Sequence, residues 1–309
     1  SIDLSQSGKT IDSMAVLGAE GTYYMSEKNI YVATETDAWR KTKISRYSYE
    51  KGTIKYACEK VINGTILNQF SMDEYEGNLR FAATTYDDNG KTTNGLYIVD
   101  SLFKTIGSVS RLAPGERIYS ARFMGESVYF VTYRETDPLF LVDVSDPANP
   151  VVKDKLKIPG FSDYLHPFGE NMLLGIGSIQ DKEGNSYVKL SMFDISNPEK
   201  VKEIHSKKLG KNTVQNMGSD HKGIVVDAER NRIAFGVENY DDTTDSFYEI
   251  FSYDKQKGFQ NIAKLSLEES YSTESRGLYI GDYFYLCKTS SGICVYDTKK
   301  YKKIRSIAY

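Results

Sequence analysis

His166, His205 and His221 are the only histidines in 309 residues, and two of them stand in short polar clusters, Tyr164-Leu165-His166 and Asp220-His221. Two imidazoles and a carboxylate are a sound ligand set for a divalent metal. An imidazole beside an acid also suits a general base. The stretch Asn68-Gln69-Phe70-Ser71-Met72-Asp73 adds amides and a carboxylate, and Arg122 and Arg276 add cations that could hold an anion. Three readings stand. These groups satisfy neighbouring strands or ordered water, they form a ligand site, or they form a metal-assisted catalytic site. The members are far apart and follow no motif spacing. No cofactor is therefore expected, a metal ion in a central channel being the one exception these side chains allow.

Other chemistry is excluded more simply. Asp87-Asp88-Asn89-Gly90 and Asp241-Asp242-Thr243-Thr244-Asp245 look calcium-like but lack the calcium-loop spacing and its closing Glu, so solvated loop tips are expected. There is no phosphate-cradling glycine loop and no nucleophile-elbow serine. Gly175-Ile176-Gly177 reads as part of a strand whose glycines permit close sheet packing. The three cysteines, Cys58, Cys287 and Cys294, rule out a disulfide framework or a zinc cluster. Cys287 and Cys294 flank the Thr289–Gly292 turn symmetrically. They are expected as two thiols on one sheet face, or else as a strained cross-strand pair.

The elements that must carry these residues come from a repeat. A first β-run opens at positions 29, 78, 127, 171, 232 and 283, giving steps of 49, 49, 44, 61 and 51 residues. A second run follows each, usually closing on Asp, as in Leu96-Tyr97-Ile98-Val99-Asp100 and Leu139-Phe140-Leu141-Val142-Asp143. Short strands at this period are the mark of β-propeller blades. The fold class is therefore all-β: four-stranded antiparallel blades, six complete repeats plus an N-terminal half repeat, with six blades expected and seven the alternative. Naming strands A (innermost) to D (outermost), repeat three places A at Ile118–Met124, B at Ser127–Tyr133, C at Leu139–Asp143 and D at Val151–Ile158. The Asp that closes strand C, as in Asp143-Val-Ser-Asp-Pro147 and Asp194-Ile-Ser-Asn-Pro198, is read as a turn former. One domain spans 1–309, with a half repeat at 1–18 and repeats at about 19–64, 65–110, 111–158, 159–213, 214–268 and 269–309. Residues 10–18 either supply an outer strand or are the stump of a further blade.

Composition agrees. Aromatic residues make up 13% of the chain, with 24 Tyr and 14 Phe, which suits stacked pleated sheets. The net charge of −3 shows no basic excess for nucleic acid, and there is no polybasic run for an anionic membrane. No apolar run is long enough to span a bilayer. The chain opens inside a repeat, so its start says nothing about its location.

In such a fold the A–B hairpins and C–D turns share one face, and here they are short. Length and polarity collect in the B–C loops, Thr84–Gly95, Ser178–Tyr187 and Glu238–Ser246. Long loops on a rigid scaffold are where binding residues usually sit. The starts of the A strands bring the polar clusters, with His166 and His221 placed on A strands, to that same face.

Longer motifs carry a resemblance. Leu67-Asn-Gln-Phe-Ser-Met-Asp-Glu-Tyr75, Leu112-Ala-Pro-Gly-Glu-Arg-Ile-Tyr119, Arg122-Phe-Met-Gly125, Asp137-Pro-Leu-Phe140, Ile158-Pro-Gly-Phe-Ser162, Tyr164-Leu-His-Pro167, Asp220-His-Lys222 and Arg276-Gly-Leu-Tyr-Ile-Gly-Asp282 closely resemble a prokaryotic family of secreted proteins. Its β-propeller domain is distantly related to WD repeats. That family usually has Arg-Ser-Leu where this chain has Arg276-Gly277-Leu278. The resemblance implies a propeller exported across a membrane, and it implies no activity. Its polar motifs coincide with the clusters above and add Asp137. The candidate ligand-binding residues are thus Asn68, Gln69, Asp73, Arg122, Asp137, Tyr164, His166, Asp220, His221 and Arg276. The expectation is an extracytoplasmic binding or scaffolding module for a protein, peptide or cell-wall polymer. The alternative is a hydrolase with a His/Asp/Arg site at the channel mouth.

Overall fold

A computed structural model describes the chain except residues 7, 17–19, 37–39, 88, 134–136, 216, 217, 219, 241–244, 268–274, 289–291 and 309, and except the side chains of Asp137 and Asp245. The chain divides into two compact units, residues 1–155 and 156–309. The described residues form, besides a two-stranded ribbon, five four-stranded antiparallel sheets and one of five strands whose first strand is divided, the blades of a β-propeller, each built from consecutive strands A to D.

The first unit begins with a ribbon of Ile2–Asp3 against Lys9–Thr10, the C–turn–D half repeat in miniature. Blade one follows with Thr22–Met25, Asn29–Thr36, Lys41–Glu50 and Thr53–Asn63. Blade two has Met72–Tyr75, Asn78–Tyr86, Thr92–Val99 and Thr105–Leu112. Blade three has Arg117–Met124, Ser127–Tyr133, Asp137–Asp143 and Val151–Ile158. In the second unit, blade four has Phe161–Pro167, Met172–Gln180, Ser186–Asn197 and Lys200–Lys208. Blade five has a divided A strand, Thr213–Val214 and Val225–Asp227, then Arg232–Asn239, Asp245–Asp254 and Gly258–Ser266. Blade six has Arg276–Ile280, Tyr283–Lys288, Gly292–Asp297 and Lys303–Ile307.

The B and C strands are largely apolar because, within each unit, neighbouring blades stack face to face. Tyr31, Ala33 and Ile44 of blade one pack with Leu79, Phe81 and Ala83 of blade two. Leu96 and Ile98 then pack with Val128, Phe130 and Phe140 of blade three. In the second unit Ala234, Tyr248 and Ile250 of blade five meet Phe284, Leu286 and Tyr296 of blade six. Each large apolar side chain so buried contributes on the order of 1.5–3 kcal/mol, which offsets the cost of ordering the strands. Gly177 shows how close the strands come: a Cβ there would lie 1.7 Å from the Phe161 carbonyl oxygen. Only glycine fits.

The repeated Asp does what its position suggests. Asp143 Oδ1 accepts from Ser145 N at 2.9 Å and Ser145 Oγ at 2.7 Å, and Asp194 Oδ1 accepts from Ser196 N at 2.9 Å and its Oγ at 2.6 Å. Asp100, Asp254 and Asp297 accept backbone amides in the same way. These donors favour the ionised carboxylate and hold the Asp143, Asp194, Asp254 and Asp297 pKa values below the usual range. Asp87 is a turn former too, its Oδ1 accepting from Asn89 N at 2.9 Å and Lys91 N at 2.8 Å. The Asp241–Asp245 loop lies outside the described residues, apart from the Asp245 backbone.

Three expectations require correction. Residues 11–16 lie in no strand, so they add none to a sheet. Asp12 instead turns the chain, its Oδ1 accepting from Ser13 N at 2.8 Å, and docks on blade one through Ile54 N to Oδ2 at 2.8 Å. Cys287 and Cys294 do not share a face. Cys287 pairs with Ile293 and Leu286 with Cys294, so the two thiols point to opposite sides of the sheet and all three cysteines are free. Finally, Asn68, Gln69 and His221 are not on A strands. Gln69–Ser71 and His221–Gly223 are single 3-10 turns that precede the strands Met72–Tyr75 and Val225–Asp227.

Candidate functional site

That last difference marks the candidate sites, because the A–B ladder breaks within its own sheet in blades two and three of the first unit and in blades four and five of the second. In blade two, Thr65 bridges Thr84, the chain leaves the sheet, and pairing resumes at Met72↔Phe81. In blade five the same excursion runs from Val214↔Glu238 to Val225↔Ala234. Blades three and four keep only a β-bulge there, with Tyr119 extra between Ile118 and Ser120, and Asp163 extra between Ser162 and Tyr164. Bulges of this kind re-aim side chains and are common beside functional sites.

Each excursion is held by a 3-10 turn and gripped by an arginine of the next blade. Asn68 caps the first turn, its Oδ1 accepting from Phe70 N at 3.0 Å. This satisfies an otherwise orphan donor and takes the chain out of extended geometry. The turn packs against Arg117–Met124, and the Arg122 guanidinium lies 4.0 Å from the centroid of the Phe70 ring. The second turn packs against Arg276–Ile280, and Arg276 forks onto Asp220 at the turn's N-terminal side. One arginine uses an aromatic face and the other a carboxylate.

Asn68, Gln69, Asp73 and Arg122 thus belong to the first unit, and Tyr164, His166, Asp220, His221 and Arg276 to the second. Asp73 faces Arg80 across the A–B pair, and Arg80 Nε donates to its Oδ2 at 3.0 Å. Arg80 is only 3% exposed. It also donates to the Gly125 carbonyl at 2.6 Å and stacks between Tyr75 and Phe123. Tyr164 is buried, and its hydroxyl shares a 2.9 Å hydrogen bond with His166 Nδ1. His205 lies elsewhere, on strand D of blade four, where Nδ1 shares a 2.9 Å hydrogen bond with the Tyr253 hydroxyl. Asp137 opens strand C of blade three, and its side chain is outside the described residues.

Two clefts follow from this framework. In the first unit a cleft of about 580 Å³ is lined by Thr22–Met25, Gln69, Phe70, Asp73, Arg122 and Phe123. In the second, one of about 550 Å³ is lined by His166, Ile224–Arg230 and Gly277–Tyr279. Among the described residues no three His, Cys, Asp or Glu side chains are grouped to hold a metal ion.

Sequence reasoning missed Asp163, Phe70 and the aromatic rim of the first cleft. Burial pushes the Asp163 pKa up to about 6, although Gln215 Nε2 donates to its Oδ2 at 2.7 Å and opposes the shift. Nothing local marks it, since the bulge that makes it extra is visible only in the pairing. The signal that could have found Tyr23 and Met25 is their i, i+2 spacing, which puts both on one face of a short strand. Gly277, which departs from the family motif, is explained by Tyr248. A Cβ there would meet the Tyr248 hydroxyl at 2.6 Å, and that hydroxyl donates to the Gly223 carbonyl at 2.8 Å.

Comparison with known proteins agrees with the architecture. A protein of Archaeoglobus fulgidus described as uncharacterized is 34% identical over 287 residues, 92% of this chain and 41% of its own length. Another uncharacterized protein, from Methanocaldococcus jannaschii, is 47% identical over 150 residues, 48% of this chain and 24% of its own length. The chain therefore spans less than half the length of these curated relatives. Among solved structures, the periplasmic gluconolactonase PpgL of Pseudomonas aeruginosa superposes with a TM-score of 0.51 at 10% identity, covering 93% of this chain and 84% of that one. This likeness bears on the fold alone. The six blades, their period and a match over residues 1–301 to the model described as Beta propeller domain place the chain in that β-propeller family.

Proposed function

We propose that the chain is a binding module whose first-unit cleft takes an extended segment of a protein or peptide partner. One observation carries this reading. Tyr23 and Met25, 55% and 59% exposed, project from a four-residue strand at the rim of a cleft that also presents the Arg122–Phe70 stack. Tyr and Arg dominate interface hot spots, and Met adapts its shape to apolar partners. A cation stacked on an aromatic ring is already oriented, so little freedom is lost on binding.

The polar residues that hydrolysis would need are engaged by partners in their own or the neighbouring blade. Asp220 is in the grip of Arg276, and His166 shares its Nδ1 with Tyr164, which supports recognition over catalysis. An extracytoplasmic setting rests on the resemblance of the motifs to secreted proteins. Among the described residues no helix is long and apolar enough to cross a membrane.

The test is selection of a displayed random-peptide library on the full chain. Enriched peptides should lose roughly tenfold or more in affinity, the range of a hot-spot truncation, when Tyr23→Ser is combined with Met25→Ser, or when Arg122→Ala is introduced. The melting temperature of the paired rim variant should hardly move. Failure to enrich any sequence, or enriched peptides indifferent to both changes, overturns the reading.

A further inference from the structure

A second groove, of about 670 Å³, opens between blades one and two, away from the A strands. Strand D of blade one supplies Lys60 and Asn63, strands B and C of blade two supply Tyr86 and Tyr97, and strand D of blade two supplies Thr105, Ser110 and Arg111. Its size is that of a small-ligand site.

The chain is distorted where it meets this groove. Pairing of strands C and D in blade two slips between Val109↔Leu96 and Leu112↔Asn94, so Ser110 and Arg111 together oppose the single residue Gly95. Arg111 sits at φ 60, a left-handed conformation that side chains other than Gly and Asn seldom adopt. A β-branch-free aspartate or a glycine would meet the backbone demand at less cost. The bulge re-aims its side chains, and Arg111 lines the groove.

Opposite stands Lys60, whose Nζ donates to the Phe103 carbonyl at 2.9 Å and to Thr105 Oγ1 at 3.2 Å. These bonds fix an ammonium at the groove wall. Arg40 does not line the groove but lies behind it, 5.1 Å from the centroid of the Tyr86 ring. Among the described residues that line the groove, Asp87 is the one carboxylate. In a chain with a net charge of −3 this is a local cationic site. Its aromatic elements are Tyr86 and Tyr97, the second stacked on Phe81 with ring centroids 5.4 Å apart. The remaining polar groups are hydroxyls and amides.

We propose that this groove binds an acidic oligosaccharide, one whose sugar rings carry carboxylates. The C–H face of a pyranose packs on an aromatic ring, and its hydroxyls exchange hydrogen bonds with Thr, Ser and Asn. Arg111 presents the planar fork that matches a carboxylate, with Lys60 as a point charge across the groove. A neutral sugar leaves both cations unused. A peptide carboxylate lacks the apolar ring face and the run of hydroxyls. The site shares no lining residue with the first-unit cleft, so it stands or falls independently of the peptide reading.

The experiment is calorimetric titration of the full chain with oligogalacturonate, and with maltohexaose as the neutral counterpart. Oligogalacturonate should bind with saturable stoichiometry, weaken with added salt, and exceed maltohexaose by at least tenfold. Arg111→Asn keeps a residue tolerant of the left-handed backbone and removes the charge, and it should cost about tenfold. Tyr86→Ala should weaken binding while Arg122→Ala leaves it unchanged. Equal binding of the two saccharides, an Arg111→Asn variant that binds like the parent, or no binding at millimolar saccharide overturns the proposal. An acidic peptide binding as tightly as oligogalacturonate also overturns it.

Discussion

Arg276 holds Asp220 through both terminal nitrogens, Nη1 to Oδ2 at 2.7 Å and Nη2 to Oδ1 at 2.9 Å. The residues are 56 positions apart and belong to neighbouring blades. The fork ties the excursion of blade five to strand A of blade six, so it positions the His221–Gly223 turn. The guanidinium is 37% exposed, and solvent screens part of the attraction. A double-mutant cycle with Asp220→Asn and Arg276→Gln should therefore give a coupling of about 1 kcal/mol in urea unfolding. A coupling near zero would mean that the pair does not anchor the turn.

The Asp73–Arg80 pair lies within blade two, and its arginine is far more deeply buried, 3% exposed. Removing the Asp73 carboxylate strands the Arg80 guanidinium among Tyr75, Phe123 and the Gly125 carbonyl. Asp73→Ala should cost about 3–5 kcal/mol, as an uncompensated buried charge does. Arg80→Met, which removes the charge and keeps the stem, should cost less. Equilibrium unfolding of the two variants checks the order, and the reverse order would refute it.

Asp163 makes stability depend on pH with the opposite sign to a salt-bridged carboxylate. Its folded pKa of about 6 lies above the ordinary Asp value, because burial disfavours the charge. Between about pH 4 and 6 the folded state binds more protons than the unfolded one, so this group's contribution declines as pH rises through that window. Asp163→Asn removes the dependence. Relative to the parent, the variant should gain about 1–2 kcal/mol in unfolding free energy between pH 4 and pH 7. An unchanged difference at the two pH values would show that Asp163 titrates normally.

Gly277→Ser restores the residue usual in the family at the position that Tyr248 fills here. The added atoms would press on the Tyr248 hydroxyl and on Phe284, 2.7 Å from an ideal Cβ. Overpacking of this kind costs about 1–3 kcal/mol. Gly277→Ser combined with Tyr248→Phe should lose less than the sum of the two single changes, since one removes the atom the other strikes. Additive losses in thermal or urea unfolding would show that the two positions are independent.

Thiol titration should find three free thiols in denaturant, even after exposure of the folded protein to mild oxidant. Cys287 and Cys294 face opposite sides of their sheet, and that geometry forbids a bond between them. Recovery of only one thiol would mean the register of blade six is shifted.

The amino-acid sequence alone determined the blades. Alternating apolar runs at a period near fifty residues leave a strand no way to hide both faces except between stacked sheets, so strand identity, the Asp turns and even the limits Ser127–Tyr133 and Val151–Ile158 were legible. Asn68, Arg122, Asp220 and Arg276 were legible as unusual polar residues in an apolar repeat, but their partners were not. Which carboxylate meets which arginine depends on how neighbouring blades are offset. The excursions that lift Gln69 and His221 off the ladder, and the bulges at Tyr119, Asp163 and Arg111, depend on register between strands. A hydrophobic period gives the face of each side chain but not its cross-strand partner, so it does not mark which residue is left unpaired and turned from the sheet into a cleft. Tertiary packing alone decided those, because only there does each backbone amide meet, or fail to meet, its partner.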